Sequence, residues 1–482
     1  MTTVLAAAAS SGDLLAARNL MAFALACHIV LASLGVSFPA ITLIANYRGL
    51  KHDDPEALTL ARRWSKVQAV LFAVGAVTGT VLSFLFGLLW PGLMGRYGGV
   101  FGVPFAIEGI FFFTEAIFLA IYIYGWRRLP PWKHFWTGVP VMLAGIGGAF
   151  SVVTANAWMN QPGGYTVGAD GSITAVDPLQ VIFNGAWAYE VPHMFLAAYC
   201  IGGFLVASVY AVGMLRGRRD RYHRVGFLIP FTVACIAIPL QMFVGDFAAR
   251  SVFEDQPVKF AAIELVPQTA TNVPETLGGR LVDGQVEGGI AIPDLASILS
   301  GFSPDTQIQG LDIVPPSQQP PATIVHWAFD IMVLTGSALM LLALWFGFVW
   351  WRKRDLPKTK WFLRAAAVAG AAAILATEAG WVVTEVGRQP WVVYNQLTTA
   401  DAVTPAGGIW VFLVIVLVLY AAVFATLARV LLRMAARWRG EGEGADVAEH
   451  DVPYGPQPSL DQVVAERTGE HATVGSDVEA VW

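Results

Sequence analysis

The chain has 482 residues, of which 56% are hydrophobic and 13% are charged, and its mean hydropathy is +0.57. Soluble chains are usually about 45–50% apolar and about 25% charged, so this composition excludes a soluble multidomain enzyme. The net charge of −5 argues against nucleic-acid binding. Three isolated cysteines (Cys27, Cys200 and Cys235) exclude a disulfide framework and a CxxC metal site, and Ala24 stands where a covalent CxxCH haem motif needs cysteine.

Nine apolar runs are long enough to cross about 30 Å of hydrocarbon, which takes roughly 20 helical residues. They cover residues 17–45, 67–90, 101–125, 136–158, 187–213, 225–246, 322–350, 363–386 and 407–433. The first run has neither a basic leading region nor a small-residue cleavage site, so we expect a membrane span rather than a signal peptide. The sequence therefore predicts an all-α, polytopic membrane protein with nine transmembrane helices.

The distribution of basic residues predicts how these spans are oriented. The loops after spans 1, 3, 5 and 7 and the C-terminal segment, together with the adjoining span ends, hold 24 of the 30 Lys and Arg residues. By the positive-inside rule this side faces the cytoplasm, which places the N-terminus outside and the C-terminus inside. The acidic C-terminal segment, residues 436–482, is expected to be a disordered cytoplasmic tail.

One long connection separates two groups of spans. Residues 1–246 form the first six spans and residues 322–435 the last three, and residues 247–321 form a loop that the orientation places outside the cytoplasm. A loop of this length in a compact protein is usually functional or disordered. Within it, residues 259–264 (KFAAIE) are predicted to form one or two helical turns that bring Lys259 near Glu264.

Ionisable residues inside membrane spans are costly and usually functional. Those inside the predicted spans are His28, Glu108, Glu115, His193, Asp330, Glu378 and Glu385, and Glu190 and Asp246 lie near span ends. Five candidates from five different spans lie at similar depth, about 6–11 residues from the predicted outer face: His28, Glu108, His193, Met332 and Glu378. Each of them alone has an ordinary explanation in core packing or helix–helix hydrogen bonding. Their common depth favours a haem or metal cluster, and neutral His with thioether or carboxylate partners suits non-covalent haem.

Several segments resemble subunit I of the cytochrome bd quinol oxidases. They are residues 101–104 (FGVP) with 106–109 (AIEG), 378–381 (EAGW) running into 387–391 (GRQPW), 154–159 (TANAWM), and the Lys259–Glu264 pair. The resemblance covers about residues 15–435, and GRQPW at the end of the eighth span is its most specific part. The nine spans with a long loop after the sixth also match the layout of that family.

The resemblance implies three haems near the outer face, two of type b and one of type d, the last replaceable by haem b in a divergent subgroup. His193 and Met332 match the two ligands of a low-spin haem b. His28 and Glu378 match ligands of a high-spin haem pair, without indicating which residue serves which haem. Arg18 and Arg388 are candidates for contact with the haem propionates or with the residues that ligate the haem iron.

The resemblance also implies a reaction and its partners. Lys259 and Glu264 match quinol-contacting positions, and Glu108 and Glu115 match a proton path. The implied protein oxidises quinol at the outer face and reduces O2 to water with cytoplasmic protons, which generates a membrane potential without a pump. It would lie in a prokaryotic plasma membrane with a second subunit of similar fold (subunit II) and, as further candidates, small single-span subunits.

The loop has no long insertion after Glu264, so it resembles the short-loop form of the family. Three departures from the family pattern concern the haem environment and suggest a divergent subgroup. Asp330 stands where many members have Arg, Ile374 where they often have Trp, and residues 83–90 lack the polar residues of their counterpart. Two other functions stay open on the residues alone. One is a b-type electron-transfer cytochrome that does not reduce oxygen, and the other is a haem-free membrane transporter, although the chain has no evident internal repeat.

Overall fold

A computed structural model describes residues 11–169 and 171–440, and helices dominate this part of the chain. The helices are Ser11–Lys51 (α1), Pro55–Leu89 (α2), Pro91–Gly125 (α3), Pro131–Asn160 (α4), Pro178–Ile182 (α5), Trp187–Leu215 (α6), Arg221–Asp255 (α7), Pro257–Ile263 (α8), Leu295–Gly301 (α9), Ala322–Lys353 (α10), Lys360–Gly387 (α11), Thr399–Ala402 (α12) and Ile409–Trp438 (α13). Among the described residues, nine helices are long and apolar enough to cross a membrane. The prediction of nine spans is therefore confirmed.

Short antiparallel strand pairs occupy the connections at one end of the bundle. They are Tyr165–Val167 (β1) with Ile173–Val176 (β2), Glu275–Leu277 (β3) with Ile290–Ile292 (β6), Arg280–Val282 (β4) with Gln285–Glu287 (β5), and Trp391–Val393 (β7) with Leu397–Thr398 (β8). The long loop is thus ordered, and its predicted helical turns are confirmed as α8. Most of the predicted disordered tail, from residue 441 onward, lies outside the described residues.

The boundary between α2 and α3 differs from the sequence prediction. Residues 91–100, which precede the third predicted span, continue as helix, so that only Trp90 separates α2 from α3. Pro91 begins the helix at the position where proline costs no hydrogen bond, and Tyr97 packs against Trp158 of α4 with ring centroids 5.2 Å apart. Tertiary packing therefore overrides the low helix propensity of this glycine-rich segment.

Helix α6 lies at the centre of the bundle, and two glycines allow its neighbours to approach closely. A Cβ atom at Gly203 would lie 2.7 Å from the Pro230 carbonyl oxygen of α7, and one at Gly370 of α11 would lie 2.5 Å from Leu205 Cα. Such small-residue contacts are a common way of packing helices in membranes. Helices α6, α7, α10 and α11 bound a cavity that contains four of the candidate site residues.

Ion pairs join the helix ends opposite the long loop. Asp54, which caps α2, accepts hydrogen bonds from Arg48 Nε and Arg221 Nη2, both at 2.8 Å, and Arg224 of α7 pairs with Asp355 before α11. Burial alone would raise the pKa of Asp54, but the bonds from Arg48 and the Ala57 N–H and the charge of Arg221 lower it below its ordinary value. The basic connections therefore meet at one end of the bundle, as the alternation of spans requires.

Candidate functional site

A cavity of about 490 Å³ lies between α6, α7, α10, α11 and the long loop, and we call it the loop cavity. Four of the predicted site residues line it: His193 from α6, Met332 from α10, and Lys259 and Glu264 from α8 and its C-terminal cap. The sequence placed these residues on three separate segments. The structure thus brings the predicted low-spin ligands and the predicted quinol contacts to one space.

The groups around His193 and Met332 leave room for a flat ligand. The Nδ1 atom of His193 is buried and has no hydrogen-bond partner among the described residues, while Nε2 lies 3.2 Å from Gln241 Nε2. Glycines flank both side chains, because a Cβ at Gly245 would lie 3.3 Å from His193 Cε1 and one at Gly380 would lie 3.0 Å from Met332 Sδ. The Oε1 atom of Gln241 also lacks a partner among the described residues, so with its amide turned over Gln241 accepts from Nε2–H and leaves the Nδ1 lone pair free. A free ring nitrogen and a thioether beside glycines fit axial ligation of a haem iron.

Lys259 belongs to a buried polar network rather than to a pair with Glu264. Its Nζ donates to Asn160 Oδ1 at 3.0 Å, and Asn160 Nδ2 donates to Glu190 Oε1 at 2.6 Å. Burial lowers the pKa of Lys259, a shift that Arg388 reinforces and Glu190 opposes. The network ties the loop to α4 and α6, so a ligand in the cavity would meet Lys259 already held in place.

The network continues to the GRQPW corner. Asn156 Nδ2 donates to Glu385 Oε1, and Arg388 Nη2 donates to Glu385 Oε2, both at 2.5 Å. Arg388 is 2% exposed, yet its Nε and Nη1 atoms have no partner within the described part of the chain. Buried guanidinium donors without acceptors are costly, and a carboxylate such as a haem propionate would satisfy them.

Glu264 faces a second polar group at the loop end of the cavity. Its side chain is hydrogen-bonded to that of Glu275 in β3. Burial, followed by the negative charge of Glu275, raises the pKa of Glu264 well above its ordinary value. Lys259 and Glu264 therefore line one cavity but have different partners.

A second cavity, of about 550 Å³, lies between α1, α2, α3, α4 and α6, and we call it the bundle cavity. His28, Glu108 and Glu115 all line it. The Thr78 hydroxyl, which lies 3.1 Å from the Val74 carbonyl and can donate to it, lies 2.9 Å from His28 Nδ1. Thr78 then accepts from Nδ1–H, which leaves the Nε2 lone pair of His28 free for a metal. A Cβ at Gly79 would lie 3.1 Å from His28 Cε1, so glycine again leaves space beside the ring.

Neither Glu378 nor Arg18 lines the loop cavity or the bundle cavity. The Oε1 atom of Glu378 is buried without a partner among the described residues, and its charge acts on Cys27, the neighbour of His28 in α1. Glu378 of α11 therefore lies within electrostatic range of the helix that carries His28. Arg18 is half-buried in α1.

Sequence reasoning missed several residues of these sites. Asn156 and Asn160 are spaced i, i+4 on one face of α4, so helix periodicity could have indicated this pair. Glu385 and Arg388 were identified from the sequence, but their i, i+3 ion pair was not. Glu275 gave no such signal, because it comes to Glu264 through the fold of the loop. Gln241 and Thr78 are likewise recognisable only by what they contact.

Comparisons with known proteins agree with the resemblance. Residues 16–438 match the family model for cytochrome bd terminal oxidase subunit I. Two relatives come from Bacillus subtilis (strain 168). A putative cytochrome bd menaquinol oxidase subunit I is 35% identical, and the match covers 87% of this chain and 96% of the relative. A cytochrome bd ubiquinol oxidase subunit 1 is 31% identical, and the match covers 84% of this chain and 89% of the relative. The solved bd oxidase from Geobacillus thermodenitrificans superposes with a TM-score of 0.82 at 34% identity, over 88% of this chain and 98% of that one.

Proposed function

Because the chain belongs to the cytochrome bd terminal oxidase subunit I family, a family of haem-containing quinol oxidases of the bacterial plasma membrane, we propose that it oxidises quinol in the loop cavity and reduces O2 to water. The observation that carries the proposal is the composition of the loop cavity. It collects two haem-ligand candidates, His193 and Met332, and two substrate-contact candidates, Lys259 and Glu264. A quinol in this space would lie beside its electron acceptor.

His193 and Met332 hold the low-spin haem b in this proposal. The buried free nitrogen of His193 and the glycines beside both side chains support the assignment. His28 and Glu378 hold the high-spin pair, and Arg388 supplies unpaired donors for a propionate. When bound, the haems carry electrons from quinol to an iron at which O2 is reduced. We propose two haems b and one haem d, the last replaceable by haem b.

Lys259 and Glu264 bind the quinol head group. Lys259 is a buried donor fixed by Asn160, and Glu264 is an acidic group at the other polar part of the cavity. The two relatives are named for menaquinol and ubiquinol, respectively. We therefore propose quinol as the substrate class without choosing between the two.

Glu115 and Glu108 carry protons from the cytoplasmic side toward the bundle cavity. They lie two turns, about 10 Å, apart on one face of α3, both line the cavity that contains His28, and Glu108 acts electrostatically on Glu115. With the N-terminus outside, these protons cross much of the membrane. Turnover would then be electrogenic without a pump, at about 2.3 kcal/mol per full charge crossing at 100 mV.

The oxidase would work as an assembly in the lipid bilayer. We propose a second membrane subunit of similar fold, with small single-span subunits as further candidates, and no nucleic-acid partner. Exposed aliphatic and aromatic side chains on the long helices, such as Trp410 and Val418 of α13, suit lipid or subunit contact.

A visible spectrum tests the proposal. Purified membranes should show reduced haem b bands, and a red band would identify haem d. His193→Ala and Met332→Leu should each remove or convert the low-spin signal and abolish quinol oxidation, because six-coordination needs both ligands. An unchanged reduced spectrum in both variants would refute the ligand assignment, and a wild-type protein without haem would refute the oxidase proposal.

A further inference from the structure

Two carboxyl side chains share a hydrogen bond where the long loop closes the loop cavity. Glu264 follows α8 and Glu275 begins β3, and both line the cavity. Two carboxylates that face each other repel unless one of them holds a proton. Burial raises the pKa of both groups, which favours a proton on the pair.

One histidine fixes the backbone beside both carboxyls. His326 of α10 is 1% exposed, and its Nδ1 lies 2.7 Å from the carbonyl oxygen of Ile263, the residue before Glu264. Its Nε2 lies 2.8 Å from the carbonyl oxygen of Gly278, three residues after Glu275. The pair is therefore held from a transmembrane helix and does not depend on the loop alone.

Two ionisable residues of α10 face the pair. Asp330 of α10 acts on both carboxyls and accepts a hydrogen bond from the Gly278 N–H at 2.6 Å, and His326 opposes the raised pKa of Glu275. Glu264 is 6% exposed, whereas Glu275 is half-buried. A proton that moves from Glu264 to Glu275 thus moves from the more buried carboxyl to the more exposed one.

We propose that Glu275 completes a proton-release pair for quinol oxidation, in which Glu264 takes the hydroxyl proton and Glu275 passes a proton to the outer aqueous phase. The inference rests on the proposed function. The quinol O–H bond breaks as a new O–H bond forms on Glu264, the proton already on Glu264 moves to Glu275 and then to water, and the electron goes to the low-spin acceptor of the oxidase. A pair that holds one proton can accept and release in one concerted shift, which a lone buried carboxyl cannot.

Glu275→Gln in the complete oxidase tests the proposal, with Glu287→Gln on the exposed strand β5 as the matched control. We expect the quinol turnover of Glu275→Gln to fall by about tenfold. The acid limb of its kcat/KM profile should move to higher pH, because the more buried Glu264 must then ionise to accept a proton. The reduced spectrum and the oxygen consumption with an artificial donor should stay at wild-type levels. Unchanged turnover and pH profile, or loss of haem, would overturn the pair as a release route.

Infrared spectroscopy of the oxidised enzyme gives a readout that needs no turnover. At neutral pH, Glu264→Gln should remove one protonated-carboxyl band, and Glu275→Gln should shift that band, because the carboxyl of Glu264 then bonds a neutral amide oxygen in place of a charged carboxylate. A spectrum that neither variant changes would overturn the shared proton. Failure of the proposed function would appear differently, as a wild-type enzyme that does not oxidise quinol.

Discussion

Gly380→Ala tests the assignment of Met332 as a haem ligand without substituting Met332 itself. A Cβ at Gly380 would lie 3.0 Å from Met332 Sδ, whereas unstrained non-bonded contacts lie at about 3.5–4.0 Å. The sulfur must therefore move by about 0.5–1 Å. Metal–ligand distances tolerate only about 0.2 Å, so the displacement should weaken an iron–thioether bond.

We expect Gly380→Ala to convert part of the low-spin haem signal to a high-spin one and to slow quinol oxidation. Alanine favours an α-helix over glycine by about 1 kcal/mol, so unfolding of α11 is not expected. The assay is a reduced-minus-oxidised spectrum, with a redox titration of the low-spin component. Gly336→Ala is the control, because its Cβ would lie at an ordinary 3.8 Å from Met242 Sδ. A wild-type spectrum and midpoint potential in Gly380→Ala would refute the reasoning.

Two further predictions concern substrate and protons. Lys259→Ala should raise the apparent KM for quinol, because Lys259 lines the loop cavity and its Nζ is held there by Asn160. Haem content and artificial-donor oxygen consumption should stay near wild type. Loss of haem would instead show that the network has a structural role. Glu115→Gln keeps the shape and hydrogen bonding of the side chain but cannot relay protons, so it should strongly slow oxygen reduction while quinol still reduces the haems. Wild-type turnover and membrane potential in Glu115→Gln would contradict the relay and leave a permanently protonated carboxyl.

Hydropathy was sufficient to predict the transmembrane helices. A span must satisfy all its backbone hydrogen bonds internally, so about 20 apolar residues in a row leave few alternatives to a helix. The ends of the helices were less predictable. Helix α7 continues to Asp255, nine residues beyond its predicted span, because Val252 and Phe253 there pack against the apolar core of the loop instead of lipid.

The partners of the site residues could not be predicted, because they come from distant parts of the chain. Lys259 and Glu264 are five residues apart, and their spacing indicated a pair. In the fold, Lys259 binds Asn160, 99 residues away, and Glu264 binds Glu275 across a turn of the loop. A polar group that the fold buries pairs with the group that the fold places beside it, because burying it without a partner costs free energy.

The departure at residue 374 shows how structure changes the meaning of a substitution. The family often has Trp one turn before the ligand Glu, and here Ile374 packs against the hydrophobic core around α6, α7 and α11. Trp381, however, lines both the loop cavity and the bundle cavity, together with Val153 and Met194. Positions 374 and 381 are seven residues apart, which is about two turns, so they share one face of α11 with Glu378 between them. An aromatic ring thus still lies in the wall between the two cavities, one turn after the carboxylate and not one turn before it.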